Sequence, residues 1–267
     1  MDINHISVSR AGVFAECEKK YHFTYHLKMA SPKPEPFYFV YGTLVHKIAE
    51  LYVEGKGAVP IGDIASDILR GKIPVEGDRL CPELPEEYAK KLTKHVRAIK
   101  NLTEKTGCGG LVEQEFKYDL DPPNGRCVTG FIDRLILTGD KAFIIDYKTT
   151  KKGKWRVDSE TVKTNLQLRT YARWVQRQYG LRPENIKAAL YYLEGENLIA
   201  AQYDEESLEG AEKELLRAYL AIERADPDKV WGRVGWHCKN CAYETVCPFY
   251  NKSNPAVWDG DMVSIGY

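Results

Sequence analysis

The spacing of hydrophobic residues along this chain changes period more than once. From 9 to 28, "SRAGVFAECEKKYHFTYHLK", the residues Val13, Phe14, Cys17, Tyr21 and Tyr25 recur every three or four positions. That spacing predicts one helix, with Ser9 as its N-cap. "SPKPEP" over 31–36 breaks it. "FVYGTLVHKIAELYVEG" predicts a second helix, ended by the glycine-rich "GKGAVP". Residues 60–108 read as helical around the loop "GKIPVEGDRLCPELP", and "EEYAKKLTKHVRAIKNL" is the strongest helix there. At 111 the pattern turns to β-type runs: "LVEQEFKYDL", "RCVTGFIDRLILT" and "KAFIIDYKTT", separated by the turns "DPPNG" and "GD". An antiparallel meander is expected from them. The helix "TVKTNLQLRTYARWVQRQYG" follows, closed by Gly180, then the strands "IKAALYYLEG" and "NLIAAQYD" and the helix "EESLEGAEKELLRAYLAIER".

Helix, three strands, helix, two strands is the order of an α/β domain with a mixed sheet. The whole chain, 1–267, is read as a single domain. Within it, 54–110 forms a helical insert, 111–203 the sheet core and 236–250 a cysteine-rich C-terminal segment. Composition changes this picture little. The chain is 43% hydrophobic and 28% charged, as a soluble globular protein is. No apolar run reaches the roughly 20 residues of a membrane helix, so no membrane association is expected. "MDINHISVSRAG" lacks an apolar signal region, and a cytoplasmic location is expected. The 38 basic and 38 acidic residues cancel. A zero net charge neither requires nor excludes nucleic acid, because local patches decide binding.

Two carboxylates stand out. Asp133 follows Phe131 and Ile132, and Asp146 follows Phe143, Ile144 and Ile145. A carboxylate set in an apolar run is costly without a partner or a metal. Adjacent strands of one hairpin can bring the two together, and a divalent cation would cancel their repulsion. Lys148 lies two residues past Asp146, on the same strand face. The plain alternative is an exposed sheet face with ordinary ion pairs. Gln167 and Tyr171, four apart, share one helix face, while Leu168, Ala172, Val175 and Tyr179 form an apolar one. Between Asp146 and this helix lies "KTTKKGKWR"; such a charge run is usually just solvated, but beside a metal site Lys151, Lys152, Lys154 and Arg156 suit a phosphate backbone and Trp155 a base.

"GFIDR", "IIDYKTTK" and "QLRTYARW" together resemble the RecB-type branch of the PD-(D/E)XK nucleases. The resemblance implies a restriction-endonuclease-like core and hydrolysis of DNA with Mg²⁺ or Mn²⁺, leaving a 5′-phosphate and a 3′-hydroxyl. It makes Asp133 and Asp146 metal ligands, joined by the backbone carbonyl of Tyr147. Lys148 positions the attacking water and steadies phosphate charge. Gly42 and His46 in "YGTLVHKIAELY" fit a G-x3-H helix that sets a histidine over the metal. Glu113 fits a further acidic ligand, with Glu115 as its rival. Gln167 and Tyr171 match a Q-x3-Y element at the active site or DNA. The literal "PD" is absent; "IDR" stands in its place.

Seven cysteines without a signal region argue against a disulfide framework. Cys238, Cys241 and Cys247 are spaced C-x2-C-x5-C. Spacing alone leaves zinc and an iron–sulfur cluster both open, with Cys17, Cys81, Cys108, Cys127 or His237 as the fourth ligand. A subset of the same nucleases holds a 4Fe-4S cluster with one N-terminal cysteine and three C-terminal ones. That resemblance implies Cys17, Cys238, Cys241 and Cys247 as a staple, with the C-terminal segment closing onto Cys17 and zinc as the alternative metal. The implied function is an exonuclease preferring single-stranded DNA ends, in repair or recombination or in phage or prokaryotic DNA processing, and the implied host is a prokaryotic or phage-infected cell. Trimming of DNA before CRISPR integration is an alternative, as is a catalytically inert DNA-end binding subunit. The chain has no G-x4-G-K-[ST] stretch, so a helicase, recombination or CRISPR partner would be a separate chain.

Overall fold

The computed structural model describes residues 1, 3–150 and 158–250. Eight α-helices are assigned among the described residues: α1 (Val8–Glu16), α2 (Glu18–Tyr21), α3 (Phe37–Glu54), α4 (Ile61–Leu69), α5 (Glu86–Thr106), α6 (Ser159–Thr164), α7 (Leu166–Tyr179) and α8 (Glu205–Arg224). The strands are β1 (Leu111–Asp121), β2 (Arg126–Thr138), β3 (Lys141–Lys148), β4 (Ile186–Tyr192) and β5 (Asn197–Gln202). They form one sheet in the order β1-β2-β3-β4-β5. β2 pairs antiparallel with β3, β3 parallel with β4, and β4 antiparallel with β5. This is the mixed α/β sheet that the chain order implies. None of the described helices is long and apolar enough to cross a membrane.

The residues gather into two compact units. One comprises Pro36–Phe116 and Phe131–Leu208; the other comprises Met1–Glu35, Lys117–Gly130 and the described residues from Glu209.

In the first unit the alternation of β3 sorts its side chains onto two faces. Phe143, Ile145 and Tyr147 join a core supplied by α3, α4 and α5. Ala142, Ile144, Asp146 and Lys148 take the other face, where α7 packs on β3 and β4. α3 starts after the proline-rich stretch, with Pro36 in its cap position, and buries Tyr41, Leu44, Val45, Ile48, Ala49 and Tyr52 along one stripe. Fully burying a Leu, Ile or Val contributes roughly 1.5–3 kcal/mol, so this stripe fixes the helix rotation and turns His46 outward. Buried His95 of α5 locks onto the same helix through the Tyr41 hydroxyl at 2.9 Å. The predicted helix over 161–180 is two helices. Asn165 leaves the helical region and caps α7, its side chain accepting from Leu168 N at 2.9 Å. Gly180 ends α7 in the left-handed conformation, as expected. Leu168, Ala172 and Val175 are buried there, whereas Tyr179 is exposed.

In the second unit, the predicted single helix over 9–28 is also broken. Ser7, not Ser9, caps it, accepting from Arg10 N at 3.2 Å. Cys17 is extended (φ −163°, ψ 114°), and α2 then runs into a π-helical turn over His22–His26. The apolar spacing persists across this break, so periodicity alone does not reveal it. The C-terminal segment lies against these N-terminal residues. Lys19 N donates to Trp231 O at 3.0 Å, Arg233 to Ala15 O at 2.9 Å, and the Tyr243 hydroxyl to Met29 O at 3.2 Å. Lys33 pairs with the buried carboxylate of Glu244.

Candidate active site

At one end of the sheet in the first unit, β2, β3, α3, α7 and the start of β1 bring their polar side chains together. Continuing the β2–β3 register one residue past Arg134–Ile145 sets Asp133 across from Asp146. There the Asp133 carboxylate accepts from Tyr147 N at 2.7 Å. His46, from the outer stripe of α3, reaches over this end. Its Nδ1 lies 3.5 Å from Asp133 Oδ1 and 3.8 Å from Glu113 Oε1, and its Nε2 lies 3.1 Å from Tyr147 O. One ligand atom from each of His46, Glu113 and Asp133 falls within 4.8 Å of the others, a donor set that could hold a metal ion.

Asp146 is 2% exposed and pairs with Lys148 Nζ at 2.7 Å. Lys148 also donates to Gln167 Oε1 at 3.3 Å, and Gln167 Nε2 donates to the Tyr171 hydroxyl at 2.6 Å. The direction of this chain is fixed, because an ammonium only donates and the amide oxygen must therefore face it. The ring of Phe116 stands edge-on to Tyr171, with centroids 5.6 Å apart.

Each pKa follows from this packing. Burial pushes the Asp146 carboxyl up to about 6; Lys148 pulls it back and Asp133 adds to the rise. Burial would raise Asp133 as well, but His46 and the Tyr147 N–H bring it below the ordinary carboxylate value. Burial would lower His46, yet Asp133 and Glu113 override it and hold the imidazole well above its usual value. The protonated ring then points Nδ1–H at the two carboxylates, where a cation would sit. Lys148, despite burial, is raised by Asp146, and Tyr171 stays a neutral phenol because burial and then Asp146 and Asp133 oppose its ionisation.

Of the residues singled out from the sequence, His46, Glu113, Asp133, Asp146, Tyr147, Lys148, Gln167 and Tyr171 meet at this end. The Tyr147 carbonyl faces His46 Nε2 and keeps a second lone pair for another partner. Glu113 rather than Glu115 enters the group. Its backbone is left-handed (φ +43°), uncommon for a residue other than glycine, and this re-aims the side chain while Glu115 remains exposed. The run Lys151, Lys152, Lys154, Trp155 and Arg156 lies outside the described residues. Arg134 was missed by the sequence reading. It is fully buried on the opposite face from Asp133 and donates to Gly107 O and, at 3.1 Å, to Gly109 O. It thereby anchors the approach to β1 and Glu113. At Gly110 (φ +114°) a Cβ would meet Leu135 O at 2.6 Å, so only glycine lets the chain pass there. A charge placed where strand alternation demands an apolar residue is the signal that could have flagged Arg134.

The profile of the PD-(D/E)XK nuclease superfamily matches residues 5–248. The chain belongs to this superfamily. The superfamily's core is the mixed sheet flanked by helices seen here, and its chemistry uses divalent metals. The fold is shared with the crystal structure of a "Putative exonuclease" from Eubacterium rectale, at 15% identity and a TM-score of 0.55, over 91% of this chain and 89% of that one. The crystal structure of SSO0001 is also similar, at 13% identity and a TM-score of 0.44, over 93% of this chain and 87% of that one. Among curated proteins, none matches.

In this nuclease the metal-free end should be pH-sensitive in a defined sense. Asp146 has a folded pKa above its unfolded one, so its contribution is full below about pH 4 and is lost as pH rises through about 6. His46 is also raised, so its contribution is full below about 6.5 and is lost further up. Asp133, lowered, acts only below this window. In chelator, Tm should therefore fall from pH 5 to pH 8. Added Mn²⁺ should raise Tm more at pH 8 than at pH 6, because it replaces the lost protons. Differential scanning fluorimetry at pH 5, 6 and 8 checks both, and an equal Mn²⁺ effect at pH 6 and pH 8 would contradict the assignment.

Proposed function

We propose that the chain is a metal-dependent DNA exonuclease of the RecB-like branch, acting on single-stranded ends. The observation that carries this reading is the Asp146–Lys148 pair beside the His46, Glu113 and Asp133 donors, with Gln167 and Tyr171 behind the lysine. His46, Glu113, Asp133, Asp146 and the Tyr147 carbonyl would hold Mg²⁺ or Mn²⁺; the donors are hard oxygens and one imidazole, which suits either ion. When bound, the ion supplies positive charge at the scissile phosphate and acidifies the attacking water. The chain's own groups do the rest. Lys148, held by Asp146 and Gln167, keeps an ammonium beside the phosphate oxygens and orients the water. Gln167 fixes the lysine through its amide oxygen, and Tyr171 fixes Gln167. The neutral Tyr171 hydroxyl keeps a proton to donate.

The second part of the proposal is a 4Fe-4S cluster on Cys17, Cys238, Cys241 and Cys247, serving as a structural staple. All four thiols line one cavity, with Phe23, Tyr243 and Phe249 around it. Zinc on the same four thiols is the alternative. Cys81, Cys108 and Cys127 do not line this cavity.

End-labelled linear DNA, single- and double-stranded, incubated beside a circular control with Mg²⁺, Mn²⁺ or chelator, tests the activity. Metal-dependent loss of the linear single strand, with the circle spared, is expected. Cutting of the circle at the same rate would remove the exonuclease reading. No cleavage by protein that still binds DNA would favour an inert end-binding subunit.

A further inference from the structure

The outer stripe of α3 carries more than His46. Tyr38, Gly42, His46 and Glu50 form one row at four-residue spacing, and Phe39, Thr43 and Lys47 form the next. Such a stripe is normally polar. Here it opens with two aromatic rings, Tyr38 at 50% and Phe39 at 54% exposure, their centroids 4.4 Å apart. Beyond them a cleft of about 440 Å³ runs past Gly42, Thr43, His46, Lys47 and Glu50 to Glu113. Gly42 costs the middle of a helix about 1 kcal/mol relative to alanine. Packing does not require it: a Cβ there would meet nothing nearer than Thr149 Oγ1 at 4.0 Å. The glycine leaves bare backbone between the ring of Tyr38 and the imidazole of His46, where a sugar-phosphate could approach closely. A third half-exposed ring, Phe131, lies two residues before Asp133 on the same face of β2.

We propose that Tyr38 and Phe39 form a base-stacking platform that seats the unpaired bases of a single strand, while the strand's backbone crosses Gly42 to reach the metal donors at His46. The platform rests on the nuclease reading and deepens it by giving that site its preference for single strands. Every base offers a flat face to such rings, so the contact is sequence-tolerant, and a duplex withholds those faces in its own stack. From Tyr38 to His46 the helix rises about 12 Å. That equals three to four steps of a strand whose bases stay stacked at the 3.4 Å rise of B-DNA. The base on the platform thus lies about three nucleotides from the bond that is cut.

Binding of fluorescein-labelled oligo-dT, read by anisotropy in chelator, tests the platform without any cleavage. Phe39→Ala and the double variant Tyr38→Ala/Phe39→Ala should weaken it about tenfold or more, and Phe39→Trp should restore it. An abasic site stepped along the strand should weaken the wild-type protein chiefly about three nucleotides from the end, and this profile should flatten in the double variant. In turnover the loss should fall on KM rather than kcat. Because both rings are half exposed, Tm should hold, which separates lost binding from lost folding. Unchanged affinity and an unchanged abasic profile in the double variant would overturn the platform. Hydrolysis of bis(p-nitrophenyl) phosphate by the wild-type protein with Mn²⁺ reports the nuclease reading separately, since that substrate has no base to stack.

Discussion

Replacing Asp146 by asparagine is expected to abolish metal-dependent DNA hydrolysis, with a loss of about a thousandfold or more, while the protein stays folded. Asp146 is the most buried carboxylate of the site and the partner that holds Lys148 in place. Asparagine keeps the shape but removes the negative charge, so the cation loses one anchor and the lysine loses its counter-charge together. Each effect by itself is worth roughly a hundredfold or more in sites of this kind. Thermal stability in chelator should change little at neutral pH. The wild-type carboxyl, raised to about 6, is a buried charge that the metal-free fold carries at a cost, and its removal offsets the broken pair with Lys148. End-labelled DNA cleavage and a melting curve on the same preparation check both halves. Residual activity within tenfold of wild type would sink the assignment of Asp146. Lost activity with a collapsed melting curve would reassign it to the fold.

The second large effect is expected at the cysteines. Cys241→Ser should remove the broad iron–sulfur absorbance of anaerobically purified protein and lower Tm by about 10 °C. Losing a covalent staple in other small folds costs about 2–5 kcal/mol, and each kcal/mol moves Tm by about 2–4 °C at this chain length. Iron and sulfide per chain, counted beside the melt, give the composition. Protein that holds one zinc and no iron would replace the cluster with a zinc site on the same four thiols. An unchanged spectrum and Tm would mean that Cys241 is not a ligand. Cys108→Ser, in the other compact unit, is the matched control and should leave the spectrum intact.

Much of the candidate site could be read from the sequence because its residues break a pattern. Asp133 and Asp146 interrupt apolar strands, Lys148 keeps strand parity with Asp146, and Gln167 and Tyr171 keep helical spacing. Simple alternation and the 3.6 period carry that information intact. Where the backbone departs from those periods, the reading fails. The left-handed turn at Glu113 leaves Glu113 and Glu115 indistinguishable by parity alone. The extended residue at Cys17 sits within unbroken apolar spacing, so two helices read as one. The cap at Asn165 is hidden inside a run that scores as continuous helix. Arg134 stood in view beside Asp133, but an arginine in a strand reads as surface until its face is known. Tyr38 and Phe39 could not be separated from core aromatics, because only the rotation of α3, fixed by its buried stripe, turns them outward.

The cavity lined by four thiols also sets an order of assembly. Cys238, the first of its companions to be made, follows Cys17 by 221 residues (238 − 17). At roughly 5–20 residues per second, Cys17 waits about ten to fifty seconds on the ribosome with none of its three companions synthesised. During that time it is a lone sulfhydryl on a nascent chain, open to oxidation or to the wrong ion. Any chain that stops short of residue 238 carries only one of the four thiols. On the proposed ligand set, loading of the cavity therefore has to wait until translation has passed Cys247.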